Sequence, residues 1–475
     1  MSRCDRNRWV SGLAIGAIVG AAFGVSPLCA ETLESALVQA YQNNPTLNSQ
    51  RASLRATDEG VPQALSGYRP KVTVTASGGE QSLSQAAKTS GIVPGTALSY
   101  LTQSGYNAPY GAGATVTQTI FNGFQTANKT RQAEATVLAA RATLRVTEQT
   151  VLLSAVTAYM NLLRDTAILD LQRRNVEVLQ EQLRQTRDRF NVGEVTRTDV
   201  AQSESSLASG RSQVLLAESN YNASVAIYRQ VVGSNPGKLA PGTPVDRFSP
   251  HSLPEAVSVA SASHPSVVTA EYNIDVAQQQ VKVAEGALAP TLSVTGNVQQ
   301  NFMSASSLNI YQSYSASVLG QLSVPLYQGG AEYSLVRQAK ETLGQKRIDM
   351  DTARDSARQL AVQSWGQLEA GKANIEATTS QVQAAEIALN GVREEARVGQ
   401  RTTFDVLTAQ QTLVNARVAL VTAQHDRVVA SYTLLAAVGR LTAEMLGLRV
   451  PIYDAKVHYE QVRDSWAGIR TPDGR

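Results

Sequence analysis

The side chains able to do chemistry in this sequence gather around two glycine turns. Asn191-Val192-Gly193 leads to Thr198, Asp199 and Val200, and Arg397-Val398-Gly399 leads to Arg401, Asp405 and Val406, so an aspartate follows each glycine by six residues. An acid just past a glycine turn, where a helix starts, is favoured by the free amides and the helix dipole. The local reading of Asp199 and Asp405 is therefore helix capping, and that of Arg401 a solvated cation. Elsewhere the constellations of catalysis do not assemble. His251, His264, His425 and His458 lie on different elements, which argues against a metal cluster. No glycine loop ends in Gly-Lys-Ser or Gly-Lys-Thr to cradle a phosphate. Acids recur three or four residues from arginines, as on solvated helix faces, and no carboxylate pair stands apart for acid–base work. No enzyme activity and no cofactor are expected.

The elements around these turns are unusual. Of 475 residues, 43% are hydrophobic but only 5% aromatic, which suits thin, elongated helical packing better than a thick core. Residues 1–30 read as a secretory leader: Arg3, Arg6 and Arg8, an apolar run from Trp9 to Val25, then small residues up to Ala30. Cleavage there would remove Cys4 and Cys29, the only cysteines, leaving no disulfide and no thiolate metal site. It would also take three Arg and one Asp from the 42 basic and 39 acidic residues, leaving 39 against 38. That balance does not suit a nucleic-acid binder.

The second half of the chain repeats the first. At an offset of 220, Leu33, Ala36, Ala40, Pro45, Pro70 and Val74 match Leu253, Ala256, Ala260, Pro265, Pro290 and Val294. The offset then becomes 206, matching Arg131-Gln132-Ala133, Val192-Gly193, Asp199-Val200 and Val232-Gly233 to Arg337-Gln338-Ala339, Val398-Gly399, Asp405-Val406 and Val438-Gly439. The 14-residue difference falls between about residues 79 and 110 and assigns the first repeat a longer loop. Two constant registers over this length mark a structural duplication.

Each repeat reads as helix, strand pair, very long helix, helix. Residues 33–60 form the first helix, and residues 126–190 run without Pro or Gly, a rod of about 98 Å at 1.5 Å per residue. Residues 196–232 form a helix about half as long, able to stack end to end with the first helix beside the rod. The rod carries Val137, Leu144 and Val151, an 11-residue step, then Leu162, Leu169, Val176, Leu183 and Phe190; the second repeat keeps the phase at Leu343, Met350, Ala357, Leu368, Ile375, Val382, Leu389 and Ala396. Mixed 7- and 11-residue spacings lie near the natural helix period, so the rods should supercoil weakly.

Strands are expected at about 68–78, 110–121, 290–302 and 312–327. There Thr73, Thr75, Thr115, Thr117, Thr295 and Ser317 alternate with Val72, Val74, Ala114, Val116, Val294 and Val318. One apolar face and one small polar face is the pattern of a barrel strand with lipid outside and water inside. Tyr68, Phe121 and Tyr327 at one end and Tyr100, Tyr106, Phe302, Tyr311 and Tyr314 at the other suggest two interfacial belts. The alternative is a soluble ribbon with one buried face. Four strands cannot close a barrel, so a membrane-spanning reading requires oligomerisation.

The leader, the two helix–hairpin–helix–helix repeats, the paired turn motifs, and the junctions Phe121-Asn122-Gly123 and Leu326-Tyr327-Gln328-Gly329-Gly330 closely resemble the TolC-like outer-membrane efflux protein family, over residues 31–446. The resemblance implies an α+β membrane protein. Three copies would give a twelve-stranded outer-membrane barrel continued by a periplasmic helical barrel, with an inner-membrane ABC or RND transporter and a periplasmic adaptor docking at Val192, Gly193, Val398 and Gly399. It further implies a gate at the tips. Arg401 and Thr198 match one closing link, Asp199 matches the acceptor of another, and Asp405 matches an acidic constriction. Where the family has the Tyr partner of Asp199 this chain has Ala396, and its second acidic position is Thr408. Three Asp405 carboxylates near one axis would attract cations and raise one another's proton affinity.

Residues 31–232 and 254–446 are read as the two repeats, residues 233–253, with four prolines, as an extended strap, and residues 447–475 as a partly ordered polar tail. A periplasmic adaptor would need one helical hairpin plus segments of short strands, and a surface stalk would lack the hairpins between helices. Neither suits this chain. Within the duct class, the lack of a lipid-attachment cysteine favours one-step (type I) protein secretion, with multidrug efflux as the alternative.

Overall fold

The computed structural model describes residues 31–89, 99–303, 312–472 and 474. The expected leader, both cysteines and Tyr311 lie outside them. The two repeats run α1 Leu33–Asn43, α2 Pro45–Asp58, α3 Gly60–Leu65, β1 Lys71–Gly78, β2 Gln81–Thr89, β3 Ser99–Asn107, β4 Pro109–Asn122, α4 Gln125–Asn191 and α5 Arg197–Val232, then α6 Leu253–Ser263, α7 Pro265–Gly286, β5 Thr291–Met303, β6 Gln312–Ser323, α8 Ala331–Arg397 and α9 Thr403–Ala437. A last helix, α10 Ala455–Val462, follows.

The expected first helix over residues 33–60 is three helices. Pro45 keeps Asn44 extended (φ −63°, ψ 122°), and the Asn44 side chain caps the new helix by accepting from Thr46 N and Leu47 N. Pro62 does not end the helical stretch, because it falls in the first turn of α3, where no amide donor is needed. The long helices α4 and α8 each hold 67 residues, about 100 Å. Asn44 Nδ2 donates to Val231 O at 3.0 Å, so α2 and α5 do stack end to end beside α4. The main core lies at this junction: Leu37 and Tyr41, Leu47 and Leu54, Leu152, Val156 and Tyr159, Tyr228 and Val232, and Leu434 and Leu435 pack there.

Four strands pair antiparallel in the order β1-β4-β5-β6. The register places Val72 opposite Val116, Val74 opposite Ala114, Ala114 opposite Val298, Val294 opposite Gly320 and Leu292 opposite Leu322. Side chains of paired residues share a face, so all these lie on one side. Thr73, Thr75, Thr115, Thr117, Thr295, Asn297 and Ser317 line the other. Among the described residues none in these four strands is buried, and Val74 and Val318 are 76% and 81% exposed. A soluble ribbon covers one face, whereas this sheet is a single layer with its apolar side bare.

Two strand ends fall short of expectation for the same reason. Pro70 and Pro325 carry no donor for the ladder, so β1 begins at Lys71 rather than 68 and β6 stops at Ser323 rather than 327. The expected long loop is mostly strand. β2 and β3 pair from Gln81–Asn107 to Thr89–Ser99 in the register that ends at Gly78–Tyr110, and Gly79 N to Pro109 O at 3.1 Å spans the break. The first hairpin therefore continues nine residue pairs beyond the four-stranded sheet. Its Ser, Gln and Ala alternate too weakly in hydrophobicity to announce a strand.

The strap is tied down. Glu31 N donates to Lys238 O at 2.8 Å and Ala240 N to Glu31 O at 2.9 Å, while the Glu31 carboxylate accepts from Tyr228 Oη at 2.6 Å and Gly237 N at 2.9 Å. Further along, Asp246 pairs with the buried Arg427. The tail is also ordered where α10 docks, with His458 Nδ1 3.0 Å from Asp58 Oδ2 and both residues buried. Among the described residues no helix is long and apolar enough to cross a membrane.

Candidate functional site at the helix tips

Both long helices end in the same way. Val192 leaves helical geometry at φ −95°, Gly193 takes φ 83°, and Gly193 N donates to Phe190 O and Glu194 N to Arg189 O, each at 2.9 Å. The second tip repeats this with Val398, Gly399 at φ 80°, and Gln400 N donating to Glu395 O at 2.9 Å. This six-to-one closure needs a left-handed residue, which is why glycine stands there. The two valines project, each 72% exposed, giving every tip an apolar point on a charged hairpin.

Asp199 and Asp405 are the third residues of their helices and close capping boxes with Thr196 and Thr402. Asp199 Oδ2 accepts from Thr196 N at 2.9 Å and Thr196 Oγ1 at 2.7 Å, and its own amide donates to Thr196 Oγ1 at 3.3 Å. Asp405 repeats the arrangement with Thr402 at 2.9, 2.9 and 3.3 Å. The capping reading of the sequence is thus realised in both repeats. It also sets the charge: the Thr402 backbone N–H, then its hydroxyl, hold the Asp405 carboxyl below the usual carboxylate range. Capping opposes any tendency of neighbouring copies to raise its proton affinity.

Arg401 and Thr198 are both exposed, and the Arg401 guanidinium is taken up within its own hairpin, Nε donating to Glu395 Oε2 at 2.8 Å. The first tip holds the mirror pair, Arg189 Nε to Glu194 Oε2 at 3.1 Å, with the signs exchanged across the turn. Asp199, Arg401 and Ala396 line one cleft between the two tip hairpins, together with Glu181 and Arg393. Thr198 and Asp405 do not line it.

The joint between the hairpins is the part that motif reading missed. Leu407, from the second hairpin, packs among Leu179, Leu183 and Leu207 of the first. Behind it, Arg393 Nη2 donates to Gln410 Oε1 at 3.0 Å and Gln410 Nε2 to Asn175 Oδ1 at 3.4 Å, with Asn175 and Gln410 buried. The heptad phase could have placed Gln410 only three residues after Leu407 on the same face; nothing in the sequence joins it to Asn175, 235 positions away. The geometry offers ion pairing, capping and a packed joint between hairpins, and no group of three metal-ligating side chains occurs among the described residues.

A family profile described as outer membrane efflux protein matches residues 36–234 and 256–440. The outer membrane efflux protein BepC of Brucella suis biovar 1 (strain 1330) is 42% identical over 445 residues, 94% of this chain and 93% of BepC. The outer membrane protein TolC of Escherichia coli (strain K12) is 27% identical over 430 residues, 88% of this chain and 84% of TolC. The proteases secretion protein PrtF of Dickeya chrysanthemi is 29% identical over 258 residues, 53% of this chain and 55% of PrtF. Among solved structures, the Campylobacter jejuni CmeC outer membrane channel superposes with a TM-score of 0.73 at 17% identity, covering 91% of this chain and 89% of that one.

Proposed function

This chain belongs to the outer membrane efflux protein family and resides in the outer membrane with a long periplasmic helical portion, and from that premise we propose that three copies form a gated exit duct of a tripartite export system. The observation that carries the proposal is the bare four-stranded sheet. Its apolar face runs on β5 from Leu292 to the ring stack of Phe302 on Tyr110, centroids 4.9 Å apart. Ten residues at about 3.3 Å, tilted about 40°, span about 25 Å, the height of an outer-membrane apolar band. Such a face needs lipid, and its edges β1 and β6 need strand partners, because an unpaired backbone group in hydrocarbon costs several kcal/mol. Twelve strands from three copies meet both needs without leaving an edge.

The helices then continue the barrel, and the tips become its far mouth. On this reading Val192, Gly193, Val398 and Gly399 receive an adaptor and an inner-membrane ABC or RND transporter. Asp405, Arg401, Asp199 and Thr198 form the gate, of which Asp199 and Arg401 line the cleft between the two tip hairpins. The duct moves cargo and catalyses no reaction. Paired cysteines placed in β1 (Thr73 or Thr75) and β6 (Ser315 or Ser317) test the assembly. Oxidation should yield covalent trimers in the membrane fraction, whereas monomers for every pair would sink the barrel.

For cargo, likeness to a protein named for protease secretion supports type I protein export. The 42% identity to a protein named for efflux favours a second reading, small toxic molecules. Deleting the gene separates them: loss of secreted proteins with unchanged drug susceptibility supports the first, and the converse pattern supports the second.

A further inference from the structure

Lys71 is the one charged side chain in the four strands Lys71–Gly78, Pro109–Asn122, Thr291–Met303 and Gln312–Ser323. Its register partner is Thr117, which faces Thr295, which faces Leu319, so its neighbours along that row are neutral. It shares the polar side with Thr73, Thr75, Thr115 and Asn297, opposite Val72, Val74 and Val116, and it is exposed. Lys71 is the first residue of β1, directly after Pro70, so it stands at the end of the sheet that joins the helices. On the lipid side a lysine near that interface would cost up to about 1 kcal/mol. The register removes that cost by turning Lys71 to the water-filled side.

Resting on the three-copy reading above, we propose that Lys71 forms a collar of three ammonium groups where the barrel meets the helical tunnel, a site that holds anionic groups of passing ions and cargo. Twelve strands about 4.8 Å apart and tilted about 40° close a ring about 24 Å across. Lysine arms reaching inward bring the three charges to about 10 Å of one another, comparable to the screening length at 0.1 M salt. At that spacing their fields overlap, and no carboxylate on the four strands offsets them. The duct then carries opposed charges along its axis, ammonium groups at the collar and Asp405 carboxylates at the tips, and passes current unequally in the two directions. A multivalent anion arriving from the strand side meets the collar first.

The test is single-channel recording in planar bilayers under a KCl gradient, with inorganic tripolyphosphate added on the strand side. In the wild type, tripolyphosphate should block at low salt and release as salt rises. Lys71→Gln should weaken the block at least tenfold and shift the reversal potential toward cations, while Lys71→Arg keeps both. Unchanged block and reversal potential in a conducting Lys71→Gln channel would overturn the collar while leaving the duct intact. Absence of any wild-type channel would overturn the duct and the collar with it.

Discussion

The two long helices have the same length, the same closing turn and the same heptad phase, yet they sit in the protein differently. On α4 the seam residues Val137, Leu144, Val151, Leu162, Leu169 and Leu183 are buried, with Val176 half-buried and Phe190 exposed at the tip, because α5, α7 and α9 flank the helix. On α8 only Ala357, Leu368 and Leu389 of the matching positions are buried, and Ile348, Leu360, Val362 and Ile387 stand exposed. Duplication has copied the pattern, but one copy is central and the other is an edge. The apolar positions left open on α8 follow the same logic as the open strands β1 and β6: they mark what a neighbouring copy would cover.

The sharpest way to test that contrast is to truncate both helices. Leu152→Ala, in the fully buried junction core, should cost about 2–5 kcal/mol in guanidinium unfolding. Ile348→Ala should cost less than about 0.5 kcal/mol in unfolding of the protomer once the trimer is dissociated, while lowering the resistance of the trimer to SDS. Equal costs in the monomer would mean that α8 is not an edge. Next in size is the joint where the repeats meet at the tips. Gln410→Ala strands the buried Asn175 amide and should destabilise the packed tip by about 1–3 kcal/mol, read as a higher open probability of single channels. A stable variant with unaltered gating would remove the joint from the gate.

What the sequence disclosed and what it hid divide along the same line. Periodicity and glycine turns are local, so the extent of α4, the strand alternation and the capping role of Asp199 and Asp405 were legible, though Thr196 and Thr402 as the N-cap residues were not read. Contacts between repeats are not local. The wedge of Leu407, the Gln410–Asn175 bond and the pairing of His458 with Asp58 depend on how two hairpins and a tail come together, and no spacing encodes that. The broken first helix was legible in principle, since Asn44-Pro45 is a cap followed by a helix-starting proline. The β2–β3 extension was not, for its residues are too polar to alternate visibly.

Two smaller effects compare the repeats position by position. Gly193→Ala and Gly399→Ala each force a side chain into the left-handed region and should cost about 1 kcal/mol apiece, equal within error, in thermal unfolding. Unequal costs would show that the two turns are held differently. The smallest effect concerns the caps Asn44 and His264, which match at the offset of 220. His264 Nδ1 accepts from Ser266 N at 3.2 Å, which requires a neutral ring, and burial pushes its pKa below the ordinary histidine value. The unfolded chain then binds more protons, so stability falls as pH drops below about 6.5 and levels off beneath the folded-state pKa. His264→Asn should flatten that acid slope in a pH series of melting temperatures, and an unchanged slope would assign it to other groups.

The central claim is a gated duct whose constriction is at the tips, and single-channel conductance of the purified protein tests it most directly, wild type beside Arg401→Ala and Asp405→Ala. Small, cation-selective wild-type events that Arg401→Ala enlarges, with selectivity reduced by Asp405→Ala, are the expected result. A detergent-extracted monomer that forms no pore, or a wild type already wide open and indifferent to both substitutions, would contradict it.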